Sequence, residues 1–284
     1  MTSFGTLFGT VAAIALAVGA ATPAQAQGKK LWDKVNETGT LTCGAMVAVP
    51  LNSWKVEGPA QFEGYSIGFC RQLALDLTKT MGRLVLPEFK ETTFATLVLD
   101  LQSAKIDIWP GMSVTEERKQ ALDMTGPMYE LAHCIVQRKG LAGLKTWADY
   151  SKPTVRISSA TGTTDEKALL ELAPAATNLS FKENAQAILA VQAGRADGYV
   201  TNVLSCLRIL KESPDVFGEI VVPTPVRSLP SAAGIRKDGD GRLFKFVDDW
   251  AKKARADGTT KYIISDAVQK NGLDPTILPP GFNF

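Results

Sequence analysis

The chain of 284 residues is long enough for two domains of ordinary size or one large one. A formal net charge of +2 and an unbiased globular composition argue against a nucleic-acid partner, which calls for a strongly basic face. A single histidine, His133, excludes a histidine-based metal site, and the glycines form neither a Walker loop nor a dinucleotide fingerprint, so no metal or other cofactor is expected.

Residues 1–26 read as a secretory signal peptide: an apolar core from Leu7 to Ala21 precedes the small-residue site Ala24-Gln25-Ala26, with cleavage expected after Ala26. No Lys or Arg precedes the core, yet the core is short for a membrane span of about 20 residues. No cysteine follows it directly, so a lipid anchor is not expected. The mature chain of about 258 residues (284 minus 26) is expected to work outside the cytoplasm.

After the leader, "LWDKVNETG" reads as a short helix stopped at Gly39, and a strand starts at Leu41. "SIGFCRQLALDLTKTMG" places Phe69, Cys70, Leu73, Leu77 and Met81 on one helix face, with Gly82 as the stop. "RLVLPEF" reads as a strand, "TFATLVLDLQSA" as a helix and "KIDIWP" as a strand. The middle repeats this alternation, with strands at "KPTVRISSA", "NLSFK" and "ADGYVT" and helices at "TTDEKALLELAP", "NAQAILAVQAG" and "NVLSCLRILKE". "GRLFKFVDDWAKKARADG" is an amphipathic helix ending at Gly258, "DGTTKYIISDAV" continues as helix, and "DPTILPPGFNF" is an irregular end. Strands alternating with helices predict an α/β fold with a largely parallel sheet.

An internal echo divides the pattern. "LQSAKID" and "VQAGRAD" pair Gln102 with Gln192, Lys105 with Arg195 and Asp107 with Asp197, each at an offset of 90. With the element order, it predicts two similar α/β lobes facing one another. Ligands in open α/β sheets bind beyond the carboxyl ends of the strands. Ser113, six residues after Asp107, and Asn202, five after Asp197, fall at that level.

Two strand-to-helix turns there carry anion-binding chemistry. In "GMSVTEER", Gly111 exposes backbone amides, Ser113 offers a hydroxyl, and Thr115 can cap the next helix with Arg118 one turn in. The planar guanidinium fork suits a carboxylate; the plainer alternative pairs Arg118 with Glu117 or Asp123. In "SSATGTTDEKALL", Thr163 and Glu166 form a capping box after Gly162, leaving the amides of Thr163, Thr164 and Asp165 at a helix N-terminus that favours an anion. The alternative is an ordinary N-cap. No G-x-S-x-G elbow occurs, and His133 reads as a buried or hydrogen-bonded structural residue.

The ordered segments "TGTL", "GYSIGFCRQLA", "TTFATLVLDLQSAKIDI", "GMSVTEERKQALDMTGPMYE", "SATGTTDE", "VQAGRADGYVTN" and "ADGTTKYI" resemble the extracytoplasmic solute-binding proteins of family 3, the polar amino-acid receptors of ABC importers. The resemblance runs from Leu31 to about Ile264 and is most specific at "GMSVTEER" with "ALDMTGPMY". It implies a two-lobed periplasmic-binding-protein-like fold of class II with the ligand cleft between lobes. Lobe 1 would comprise residues 27–130 and 232–284, and lobe 2 residues 131–231, with crossings near "PMYELAH" and "VRSLPSAAG". It also implies a periplasmic monomer that binds a small carboxylate or amino-acid-like ligand and docks to a membrane permease. Arg118 would clamp the carboxylate, helped by Ser113, backbone groups at Gly111 and Met112, and Thr164 from the opposite lobe. Phe94 would cover the ligand's apolar body, and Trp54 could add a lid from the first loop.

The sequence departs from the family pattern at three points. Asn202 stands where members often carry the Asp that receives the ligand's α-ammonium. "GAMVAVPLN" lacks the acidic residue of cation-binding members, and Cys70 and Gln72 replace acidic residues in "GFCRQLA". A lysine- or arginine-like ligand is therefore not expected. Two rival readings stand beside the receptor: a helper or sensor that binds a partner protein, and an enzyme like the cyclohexadienyl dehydratases, recruiting Asp165 or Glu63 as proton donor. The four cysteines allow three pairings; Cys43–Cys70 with Cys134–Cys206 is preferred because each pair stays within one lobe, and four free thiols is the alternative.

Overall fold

A computed structural model describes residues 29–47, 49 and 51–274, together with Met1. The expected signal peptide and the irregular end from residue 275 lie outside the described residues. In chain order come α1 (Leu31–Thr38), β1 (Thr40–Ala45), the short pair β2 (Trp54–Lys55) and β3 (Phe62–Glu63), α2 (Tyr65–Met81), β4 (Leu86–Glu91), α3 (Leu97–Gln102), β5 (Ile108–Ser113), α4 (Glu116–Ala121), β6 (Leu122–Met124) and β7 (Tyr129–Arg138). They are followed by α5 (Trp147–Tyr150), β8 (Arg156–Ala160), α6 (Thr164–Leu172), β9 (Thr177–Phe181), α7 (Asn184–Gln192), β10 (Gly198–Asn202), α8 (Val203–Glu212), β11 (Phe217–Val221), β12 (Ser228–Arg236), α9 (Arg242–Ala256) and α10 (Thr259–Lys270).

Local sequence explains the helices that matter most for packing. Along α2, Phe69, Cys70, Leu73 and Leu77 recur every three or four residues and are fully buried, and Gly82 ends the helix in the left-handed conformation at φ 63°. Burying each such Leu or Phe contributes about 1.5–3 kcal/mol. Helix α9 does the same with Leu243, Val247, Trp250, Ala251 and Ala254. Among the described residues no helix is long and apolar enough to cross a membrane.

Eight strands follow one another in the order β4-β1-β5-β12-β7-β10-β8-β9, with β6 on β12 and β11 on β7. The pairs β1–β4, β1–β5, β8–β9 and β8–β10 are parallel, as the alternating pattern predicts. The central strands are antiparallel. β12 pairs with β7 through Ser228↔Ala132 to Ser231↔Tyr129, then with β5 through Ser231↔Ser113 to Ile235↔Ile108. Beyond Ala132, β7 pairs instead with β10 and β11. Two extended strands thus run side by side from one parallel group to the other, giving the two-lobed α/β architecture.

The internal echo is a structural latch. The Asp107 carboxylate accepts the Thr42 amide at 2.8 Å and pairs with Lys34; the Asp197 carboxylate accepts the Arg156 amide at 2.9 Å and the same residue's guanidinium at 2.6 Å. Each aspartate ties the strand it precedes to its parallel neighbour. Disulfides join Cys43 of β1 to Cys70 of α2, and Cys134 of β7 to Cys206 of α8, each with a Cα separation of 6.5 Å, the preferred pairing.

Candidate functional site

The carboxyl ends of β5, β8 and β10 and the paired stretch of β7 and β12 surround a cavity of about 50 Å³. A second hollow of about 330 Å³ adjoins it, and Phe94, Arg118 and Thr164 border both. Alternate residues of the central strands face the cavity: Leu131 and His133 from β7, Leu229 and Ser231 from β12.

Strand β5 runs three residues beyond its expected end at Pro110, so Gly111, Met112 and Ser113 are part of the strand. Gly111 has φ +143°, and a Cβ built there would lie 3.1 Å from Asn52 Nδ2 and 3.2 Å from the Tyr129 hydroxyl. Only glycine lets the strand pass beneath these groups. Gly111→Ala is expected to cost about 1–3 kcal/mol of stability through backbone strain and displacement of Asn52, as read by urea unfolding. Met112 is fully buried with Trp109, Leu97 and Leu101, so its side chain belongs to the core and not to the cavity wall.

Thr115 caps α4, accepting the Arg118 amide at 3.2 Å. The half-buried Arg118 folds back and donates from Nη1 to the Ser113 carbonyl at 2.9 Å. The alternative pairing is not formed: Glu117 binds Lys167 at 2.5 Å, and Arg118 makes no salt bridge among the described residues. Burial pushes the Arg118 guanidinium down from its ordinary value, and the carboxylates of Glu117 and Asp165 partly oppose the shift. It keeps its charge in either case.

From the opposite side, Thr163 caps α6 by accepting the Glu166 amide at 3.1 Å and donates to the Ala160 carbonyl at 2.8 Å, so its hydroxyl is structural. Thr164 donates to the Ser113 hydroxyl at 3.2 Å, across the cleft. Asp165 brings its carboxylate as well as its amide: Oδ1 lies 2.6 Å from His133 Nδ1, and no other carboxylate lines the cavity among the described residues.

Asn202 lines the cavity, but its side chain caps α8. Oδ1 accepts the Ser205 amide and Nδ2 donates to the Ser205 hydroxyl, both at 3.0 Å. The expectation that its carbonyl is available to an ammonium therefore has a competing helix cap. Phe94 lines the cavity, edge-on to Trp109 with centroids 6.1 Å apart. Trp54 does not: it sits on β2 and packs against the main core. Glu63 is also elsewhere, bound by Arg71 at 2.9 Å and Lys270 at 3.3 Å.

His133, Asn52, Tyr65 and Trp109 are wall residues that the sequence reading does not assign to the site. His133 had a usable signal. The Cys134 side chain turns toward α8, so its neighbour in the strand turns the other way, into the cleft. Asn52 and Tyr65 come from a loop and a helix start with no periodicity to mark them. They are held there by Gly64, whose φ of +133° brings it under the Asn52 carbonyl.

The chain belongs to the bacterial extracellular solute-binding proteins, family 3, whose family model matches residues 41–268. It is 25% identical over 225 residues to the ABC transporter glutamine-binding protein GlnH of Bacillus subtilis, covering 79% of each chain. Among solved structures it is similar to the ancestral amino acid-binding protein AncCDT-1, a precursor of cyclohexadienyl dehydratase, at 30% identity and TM-score 0.71, over 84% of this chain and 99% of that one. An ancestral arginine-binding protein bound to glutamine matches at 28% identity and TM-score 0.68, over 80% of this chain and 97% of that one. All three are named as binding proteins.

Proposed function

We propose that the chain is a periplasmic receptor of an ABC importer that closes on an amino acid. The observation that carries this reading is the opposition of Arg118 and Asp165 across one cavity, a cation and a carboxylate spaced by polar groups. In this reading Arg118 grips the ligand's carboxylate through its fork, with Ser113, Thr164 and the Gly111–Met112 backbone completing the contact. Asp165, oriented by His133, receives the ammonium in place of Asn202, and Phe94 covers the apolar body. Trp54 has no part, because it faces the core.

The same reading assigns residues 27–130 and 232–284 to one lobe and 131–231 to the other, with hinge motion where β7 and β12 run together. The protein works as a monomer delivered by its leader to the periplasm, and its loaded form is recognised by a membrane permease. A receptor is favoured over an enzyme because Glu63, one of the two candidate proton donors, is engaged outside the cavity and the relatives above are named as binding proteins.

A thermal-shift screen of refolded mature protein against amino acids and small organic acids tests the reading. A ligand at 100 times its Kd raises stability by about 2.7 kcal/mol, a clear upward shift; silence from every amino acid contradicts it. Asp165→Asn is expected to weaken α-amino acids by roughly tenfold to a hundredfold, the worth of a hydrogen bond to a charged group. The same change should affect the amine-free analogue much less, as calorimetric titration of the pair will show.

A further inference from the structure

We infer that His133 is a specificity-determining residue that couples the ligand site to protons. With a neutral ring the cavity matches an amino acid; with a protonated ring it matches a carboxylate that lacks an amine. This rests on the receptor reading above and goes beyond it.

His133 is the only histidine of the chain, it lines the cavity at 4% exposure, and its Nδ1 lies 2.6 Å from Asp165 Oδ1. Neutral imidazole donates from one nitrogen, so Nδ1–H can serve an ionised Asp165 while leaving that carboxylate its full charge for a guest. Protonation of the ring places a positive charge at hydrogen-bond distance from the same carboxylate. Besides His133, the described lining residues that carry charge near neutral pH are Arg118 and Asp165. With a neutral ring they present one cation and one anion, the complement of a zwitterion. A protonated ring leaves a positive charge in excess, which suits a lone carboxylate and repels an ammonium.

The neighbouring elements supply no second group of this kind. Asp165 of α6 meets the ring directly, and Arg118 of α4 and Tyr65 of α2 share the cavity wall. Burial, with the Asp165 charge behind it, raises the phenols of Tyr65 and of Tyr199 on β10, and burial also raises Tyr129 on β7, so all three stay neutral. Strand β10 sets the uncharged Asn202 opposite His133. From the segment leading into β12, the Arg227 carbonyl accepts the His133 amide at 2.9 Å, while the Arg227 guanidinium lies 3.8 Å from Glu171. At the adjoining hollow Glu117 of α4 and Lys167 of α6 bind each other at 2.5 Å. By residue type, His133 is the member of this wall suited to change charge near neutral pH.

The probes are the tightest binder among the standard L-amino acids other than histidine, and the same acid without its amine. Calorimetric titration at about pH 8 and about pH 5, the span in which histidine ordinarily changes charge, should show the amino acid's advantage over the amine-free acid falling by at least about tenfold on acidification. His133→Asn, with folding checked by circular dichroism, keeps an N–H donor but takes up no proton, so its ratio should change by less than about twofold. The untagged parent also gives a direct reading, because a single histidine gives a single set of imidazole signals in nuclear magnetic resonance. Coupling is reciprocal, so the bound amino acid should lower the midpoint of that titration by about one pH unit and the amine-free acid should raise it. The coupling is overturned if the amino acid leaves the midpoint where it was, or if His133→Asn keeps the parent's pH dependence; the receptor reading survives either result. If no amino acid binds at any pH, the receptor reading fails and takes the coupling with it.

Discussion

Arg118→Ala is expected to weaken binding of every carboxylate ligand by at least about thirtyfold while the protein stays folded. Truncating one partner of a desolvated charge pair costs about 2–5 kcal/mol, and each 1.4 kcal/mol is about tenfold in affinity. The fold should tolerate the change because α4 buries no residue and the Arg118 side chain makes a single hydrogen bond, to the Ser113 carbonyl. Removing a half-buried cation that lacks a salt bridge also relieves a desolvation cost. The melting temperature of the variant should therefore stay within a few degrees of the parent. Arg118→Lys keeps the charge but loses the fork, so it should recover only part of the affinity. Titration of both variants decides the matter; affinity in Arg118→Ala within a few-fold of the parent would remove the clamp from the account.

Replacing Cys134 and Cys206 together by alanine should cause the largest loss of stability of any change considered. Their disulfide closes a loop of sequence separation 72, against 27 for Cys43–Cys70. The chain-entropy relation gives roughly 4 kcal/mol for the longer loop and slightly less for the shorter. At about 2–4 °C per kcal/mol for a chain of this size, the melting temperature should fall by roughly 8–16 °C. The bond also ties β7 to α8, directly behind His133, so ligand affinity should fall with stability. Scanning calorimetry of the oxidised parent and the double variant measures the difference. A change of less than about 2 °C, well below that range, would show that the crosslink contributes little.

The sequence makes the parallel parts of the fold legible and hides the antiparallel centre. Helix α2 shows its buried stripe plainly, and strands β1, β5, β8 and β10 fall where apolar runs alternate with helices. Strand β7 is buried at every position but Glu130 and Arg138, covered on both faces, so no period-2 alternation marks it. Strand β12 contains Pro230 and Gly234 among small residues, which look like a loop until pairing with β5 and β7 holds them extended. The short β2–β3 pair leaves no pattern of its own.

The site divides along the same line. Arg118, Ser113, Thr164 and Asp165 lie at strand-to-helix turns, where caps and glycines are visible in the sequence. The role proposed for the Asp165 carboxylate depends on its meeting His133 of β7, a contact that only the fold supplies. Asn202 shows the converse. Its place at the end of β10 is legible, yet its preceding position to α8 turns the side chain into a helix cap. Trp54 looks like a lid from its loop but packs on the core.

The most direct test of the central claim is a crystal structure of the mature protein with the tightest-binding amino acid. The ligand's carboxylate is expected on the Arg118 guanidinium and its ammonium on Asp165, between β5 and α6. A ligand whose carboxylate is held elsewhere, or whose amine sits on Asn202 with Asp165 uninvolved, would contradict it.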